Sequence, residues 1–170
     1  VCADKDIPVR VSDPSKQSIG KGLKAARGFF DSKLRRKSLK PHDVEAKMGK
    51  ISVGLSTVGF GSCDIAIEAV FEDVNLKRKI LRDYEQKAKT DWIFASNTSA
   101  LPIKEIAKES PNKERILGMH FFSPVEKMPL LEIVVTPETG TWATGRAFEL
   151  GQKLGKQVIV VKDGPGFYTT

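Results

Sequence analysis

The 170-residue sequence predicts an α/β fold built on a doubly wound, mostly parallel sheet. Three observations predict it. Short apolar runs rich in valine and isoleucine alternate with segments whose apolar residues recur at helical spacing. Two of those runs end on polar clusters: Trp92 to Ala95 leads into Ser96-Asn97-Thr98-Ser99, and Ile116 to Met119 ends on His120. Such tips belong at the carboxyl edge of a parallel sheet, where open α/β folds bind ligands. No internal repeat or low-complexity linker breaks the alternation.

The elements follow in order. Val1 to Lys5 reads as the tail of a helix, and Ile7 to Ser12 as a strand that stops at Asp13-Pro14-Ser15. Ile19, Leu23, Ala26, Phe30 and Leu34 then space a helix to about Lys37, and Pro41 ends the basic tract Arg35 to Lys40. Ile51 to Leu55 and Asp64 to Val70 read as strands. Asn75 to Lys89 is an amphipathic helix with Leu76, Ile80, Leu81, Tyr84 and Ala88 inward. Pro102 suits the first turn of a short helix burying Ile103 and Ile106. Strands follow near Ile116–Met119 and Leu131–Val135, then a helix from about Ala143 to Leu154 closed by Gly155. Gln157 to Val161 is a last strand, and Lys162 to Phe167 a turn.

A formal net charge of +7 and a pI near 9.4 suit an anionic partner as well as a solvated basic surface. The basic residues carry no interleaved aromatic platform, which argues against a nucleic-acid binder. Cys2 and Cys63 have no CxxC or metal-ligand spacing, so reduced thiols, a reducing compartment and no metal site are expected.

Asp13 ends a valine-rich strand, the place where a dinucleotide-binding domain holds the ribose hydroxyls. The strand and glycine-rich turn that precede such a residue are not in the sequence. Gly20-Lys21-Gly22-Leu23-Lys24-Ala25 spells the turn, but it lies seven positions after Asp13 and helical spacing runs through it. Gly59-Phe60-Gly61 lacks a third glycine and precedes a strand. The expectation is a Rossmann-like sheet without its first strand and glycine turn. That strand is central in the doubly wound order, so two bare strand edges are expected.

His120 is the strongest single candidate for chemistry, because imidazole takes and returns a proton near neutral pH. Glu132 interrupts the apolar run Leu130 to Val135, where a carboxylate is costly unless paired, and is the candidate partner. Taken singly, His120 is also readable as a hydrogen-bonded strand-end residue and Glu132 as an exposed edge residue. Ser99 and Asn97 complete the set. His42 reads as surface capping. Glu72 and Asp73 fit helix-dipole pairing or the nicotinamide side of a cofactor, and Lys77 a solvated lysine or a ribose or phosphate contact.

Asp64–Lys77 (DIAIEAVFEDVNLK), Phe94–Ile103 (FASNTSALPI), Gly118–Pro124 (GMHFFSP), Met128–Val134 (MPLLEIV) and Val158–Thr170 (VIVVKDGPGFYTT) resemble the L-3-hydroxyacyl-CoA dehydrogenase family. The ending GPGFYTT is most similar to the dehydrogenase part of multifunctional fatty-acid β-oxidation enzymes of the mitochondrial trifunctional alpha-subunit type. The resemblance implies NAD-dependent oxidation of L-3-hydroxyacyl-CoA to 3-ketoacyl-CoA. It makes His120 the general base, Glu132 its orienting carboxylate, and Ser99 a ligand of the substrate oxygen beside the nicotinamide. It gives Asp13, Ala69, Glu72, Lys77, Asn97, Ser99 and Ser123 to the cofactor, and Arg36 with its basic neighbours to the CoA moiety. Ser123 stands where the single-function enzymes carry asparagine after His-Phe-Phe, and Thr170 where they carry a catalytic asparagine.

The resemblance further implies an acyl-CoA substrate and an oligomer formed through a C-terminal helical domain not in the sequence. It implies a thiolase subunit as partner and a mitochondrial location, with cytoplasmic or peroxisomal alternatives. Residues 1–170 are expected to be a partial NAD-binding domain, with feeble turnover or none on their own. Two other readings are a non-catalytic anion-binding or interaction module that keeps the fold, and another hydroxyacid dehydrogenase of the same fold.

Overall fold

Each apolar run becomes a strand, in chain order β1 (Val9–Ser12), β2 (Ile51–Gly54), β3 (Ile65–Glu68), β4 (Ile93–Ser96), β5 (Ile116–Phe121), β6 (Leu130–Val135) and β7 (Gln157–Lys162). The helices are α1 (Lys16–Arg35), α2 (Pro41–Met48), α3 (Val74–Glu85), α4 (Ile103–Ala107) and α5 (Thr141–Lys153). The computed structural model describes residues 1–89 and 91–167. The chain divides into two units, Val1–Gly59 and Phe60–Thr170.

In the first unit β1 and β2 pair in parallel, Val9 opposite Ile51 and Ser12 opposite Gly54. Ser15 caps α1 by accepting from the Ser18 N–H at 3.2 Å. Gly20 and Gly22 lie inside that helix, in keeping with the rejection of the glycine pattern there. Pro41 opens α2, and the Asp43 carboxylate accepts from the Lys40 N–H. The Val1–Lys5 segment is a 3-10 turn, Ala3–Lys5. Ala3, Phe30 and Val44 form this unit's core, and the stripe Ile19, Leu23, Ala26 is only half-buried.

In the second unit the strand order is β3-β4-β5-β6-β7. Three neighbouring pairs are parallel, and β5 with β6 is antiparallel. The reason lies in the connection. Residues 122–129 contain no helix, and a parallel return needs a crossover of about a dozen residues or more. Elsewhere in the unit a helix intervenes between consecutive strands.

β4 is buried along its whole length, so both faces must be covered. Alternation along the strands sorts the side chains. Phe94 and Ile116 face Leu81, Tyr84, Ile103 and Ile106 of α3 and α4, while Ile93, Ala95, Leu117 and Met119 face Ala143 and Ala147 of α5. β3 pairs only with β4 among the described residues, and Ile67, Val70 and Phe71 along and beyond it are exposed.

Gly118 shows how tightly β5 is held. A Cβ there would meet Val134 Cβ at 2.9 Å and Ile103 Cδ1 at 3.0 Å. Gly118→Ala is expected to destabilise the unit by about 1–3 kcal/mol, read as a lower midpoint in urea unfolding with the slope unchanged.

Candidate active site

The antiparallel β5–β6 pair places His120 directly opposite Glu132. The His120 Nδ1 lies 2.7 Å from Glu132 Oε2. Glu132 has no exposed surface and His120 is 9% exposed, so the edge-residue reading of Glu132 fails. β6 is enclosed between β5 and β7. With the carboxylate ionised, Nδ1 carries the hydrogen and Nε2 is left as the basic nitrogen. Phe122 and Phe167 pack their rings 4.4 and 5.8 Å from the imidazole centroid.

Beside this pair, β4 ends in the loop leading to α4. Asn97 ties the two strand ends together: its Oδ1 accepts the Phe121 N–H at 2.9 Å. Its own N–H continues the ladder to the Glu68 carbonyl. The Asn97 side-chain NH2 keeps its donors unpaired among the described residues. Ser99 is exposed, its N–H bonded to Glu72 Oε1 at 3.1 Å and its hydroxyl without a partner among the described residues. The Glu72 carboxylate also accepts from the Thr98 hydroxyl and from the Ala100 N–H at 3.3 Å. Glu72 therefore fixes the loop that presents Ser99.

Lys77 departs from expectation. It is neither solvated nor available to a phosphate: with 1% of its surface exposed, its Nζ sits 2.8 Å from Glu68 and 3.1 Å from Glu72. Apolar positions Ile80, Leu81 and Tyr84 turn this side of α3 inward, and Lys77 follows them to a buried carboxylate. Glu68 is completed by the Ser96 hydroxyl at 2.8 Å and the Val70 N–H at 2.7 Å. Sequence reading left Glu68, Ser96 and Thr98 out of the site. A carboxylate ending the apolar run Ile65 to Glu68 was the available signal, the same one that marks Glu132.

Ala69 follows β3 and is exposed, and Ser123 is exposed just beyond β5. In the first unit Asp13 stands directly after β1, where Oδ1 accepts the Ser15 N–H at 2.7 Å; the other oxygen has no partner among the described residues. Arg36 is exposed at the end of α1, with Ser32 Oγ at 3.5 Å. His42 is exposed beside Asp43. Thr170 lies outside the described residues.

A carboxylate-held histidine, an exposed serine hydroxyl and an asparagine amide gathered at strand ends define an α/β domain with a candidate ligand site at its sheet edge. Residues 1–164 match the family described as 3-hydroxyacyl-CoA dehydrogenase, NAD binding domain, and the chain belongs to it. It is 42% identical over 98% of its length to a fatty acid oxidation complex subunit alpha of Idiomarina loihiensis, covering 23% of that protein. The (S)-3-hydroxybutyryl-CoA dehydrogenase structure from Ralstonia eutropha superposes with a TM-score of 0.93 at 32% identity, over 99% of this chain and 59% of that one. FadB2 of Mycobacterium tuberculosis gives 0.92 at 29% identity, over 98% and 59%. The chain thus spans about a quarter of the length of the curated relatives it matches.

Burial pushes the Glu72 carboxyl up, but the Thr98 and Lys77 hydrogen bonds, the Lys77 charge and the Ser99 N–H outweigh it and hold it below its ordinary 4.5. A carboxyl depressed in the folded state stabilises fully above its unfolded value and loses that contribution as pH falls through its folded one. The 98–100 loop is expected to stay held from neutrality to pH 4.5 and to loosen below. Ser99 and Ala100 amide resonances followed by NMR should titrate together in that acid range, and Glu72→Gln should abolish the titration.

Proposed function

We propose that the chain is the NAD-binding, proton-transferring part of an enzyme that oxidises L-3-hydroxyacyl-CoA to 3-ketoacyl-CoA in fatty-acid β-oxidation. One observation carries the reading: a fully buried glutamate holds the Nδ1 of a histidine at the carboxyl edge of the sheet. An anion-binding module gains nothing from that arrangement. A base gains an oriented Nε2 and a carboxylate that stabilises the imidazolium formed on proton uptake.

The donor set fits a nicotinamide dinucleotide. In the second unit the Asn97 NH2 group can donate to a carboxamide oxygen; in the first, taken by itself, one Asp13 oxygen can accept from a ribose hydroxyl. Ala69, Ser99 and Ser123 supply exposed surface at the strand ends, and Glu72 holds the loop beside them. NAD, when bound, supplies the hydride acceptor. His120 Nε2 takes the proton of the substrate hydroxyl while the Ser99 hydroxyl donates to the same oxygen. Phe122 and Phe167 keep water off the imidazole. Arg36 and its basic neighbours offer charge to a CoA phosphate.

The finer assignments belong to the same proposal. The parent is a multifunctional β-oxidation enzyme, most similar in its closing residues to the mitochondrial trifunctional alpha subunit. Its partners are then an acyl-CoA substrate, a thiolase subunit and further copies joined through a helical domain. A mitochondrial location rests on that resemblance, and the bacterial sources of the relatives named above support the cytoplasmic alternative equally.

The test is NADH formation from a 3-hydroxyacyl-CoA, measured on the 170-residue chain and on a longer polypeptide that carries it. The longer form is expected to turn over and the chain alone feebly or not at all. In the longer form His120→Gln should reduce kcat by about 10²–10⁴-fold, the usual worth of a general base. Glu132→Gln should also reduce kcat, with KM for substrate little changed. Turnover of His120→Gln near the unsubstituted level would sink the assignment.

A further inference from the structure

From Thr98 to Lys104 the backbone between β4 and α4 makes an unusual choice of partners. Every N–H it has is accepted by a side-chain oxygen. Thr98 N–H goes to Ser96 Oγ, Ser99 and Ala100 to Glu72, and Leu101 to Thr98 Oγ1. Pro102 has none to give. Ile103 N–H goes to Asp163 Oδ1 at 2.8 Å and Lys104 N–H to Asp163 Oδ2 at 2.9 Å. Two carboxylates thus grip the Ser99 loop, one at each end. Pro102, the residue before α4, offers no capping side chain, and Asp163 supplies the cap from 60 residues away.

Asp163 has a second connection. β7 runs antiparallel to β5, and its last residue, Lys162, pairs with Val135, several residues away from Glu132 and His120. The chain must turn back for Phe167 to reach the imidazole, and the turn begins at Asp163. Its N–H bonds the Val135 carbonyl at 2.9 Å, and Phe167 N–H returns to the Gly164 carbonyl at 3.3 Å. Gly166 and Phe167 take left-handed φ values of 74° and 56°. Phe167 is costly in that conformation and needs packing and a fixed turn to keep it there. It packs against the core cluster that includes Ile103 and Val134.

We infer that Asp163 is a positioning residue of this active site: its bidentate hold on Ile103 and Lys104 locks the loop carrying Ser99 to the turn carrying Phe167. Ser99 and Phe167 are thereby held as one unit around His120. The inference rests on the reading of His120 and Ser99 as the reacting pair, but its principal test does not require turnover.

The chain has two histidines, and exposed His42 in the other unit serves as an internal standard for His120. In the ¹H NMR spectrum of Asp163→Ala, the His120 Hε1 line is expected to move and the His42 line to stay. Exchange of the Ile103 and Lys104 amides should quicken at least about tenfold as their acceptor is lost. Phe167→Ala should move the His120 line while leaving those two amides protected. Faster amide exchange with an unmoved His120 line would overturn the proposal, because Asp163 would then be only a helix cap. If Asp163→Ala does not fold, Asp163→Asn, which keeps one acceptor, is read in the same way. In an active longer polypeptide kcat is expected to fall on the order of tenfold to a hundredfold with KM for NAD near its original value. Absence of turnover in the unsubstituted polypeptide would overturn the dehydrogenase reading and leave the NMR comparison standing.

Discussion

Glu132 has no exposed surface, and a carboxylate there keeps its charge only against groups that hydrogen-bond it. His120 is such a group, brought opposite by the β5–β6 register, and a one-residue slip would turn one side chain to the other face of the sheet. The slip is barred from both sides. Gly118 is wedged against Val134 and Ile103, and β6 is zipped along its other edge to β7 over its full length. The histidine's orientation is thus a property of the sheet rather than of a loop, and a sheet holds a side chain more closely than a loop does.

The polar residues near the pair obey a related constraint. Beyond Asn97 the segment from β4 to α4 leaves the ladder, yet Thr98 and Ile103 are buried. Buried amides without a ladder must find other acceptors. Ser96, Thr98, Glu72 and Asp163 provide them, and Glu72 is itself held. Glu72 is bound by Lys77, and Lys77 by Glu68, a chain of charges that crosses from α3 to β3. Removing Lys77 would leave the buried Glu68 carboxylate without its ion partner, so the chain depends on that lysine.

Much of this was legible in the sequence, for identifiable reasons. Among the described residues the seven strands and the helices α1, α3, α4 and α5 follow from apolar spacing and helix-start signals, with ends that differ by a few residues, as at Arg35 and Glu85, whereas α2 was marked only by the capping role of His42. His120 and Glu132 announced themselves as polar residues in apolar runs, and Ser99 and Asn97 as the polar tip of a strand. The antiparallel turn between β5 and β6 was written in the helix-free residues 122–129, though alternation elsewhere masked it. Lys77 was not legible. A lysine in a helix rich in Lys and Arg carries no mark of burial until Glu68, nine residues away, is known to point at it. Asp163 was equally silent, because its two partners lie 60 and 59 residues earlier in the chain.

Lys77 also shows where family resemblance and physical reading part. The resemblance gives Lys77 and Glu72, with Ala69, to the cofactor. In this fold they are bonded to each other, and Lys77 has almost no surface left with which to touch a ligand. Its effect on a bound dinucleotide must be indirect. It holds Glu72 in place; Glu72 holds the backbone of Ser99 and Ala100, and that backbone sets where the Ser99 hydroxyl is presented. Glu72, with 39% of its side chain exposed, is the only one of the three charged residues that can also face a ligand directly. The buried pair Glu68–Lys77 is then best understood as the anchor of a loop, and the cofactor side of the site as surface whose shape that anchor fixes.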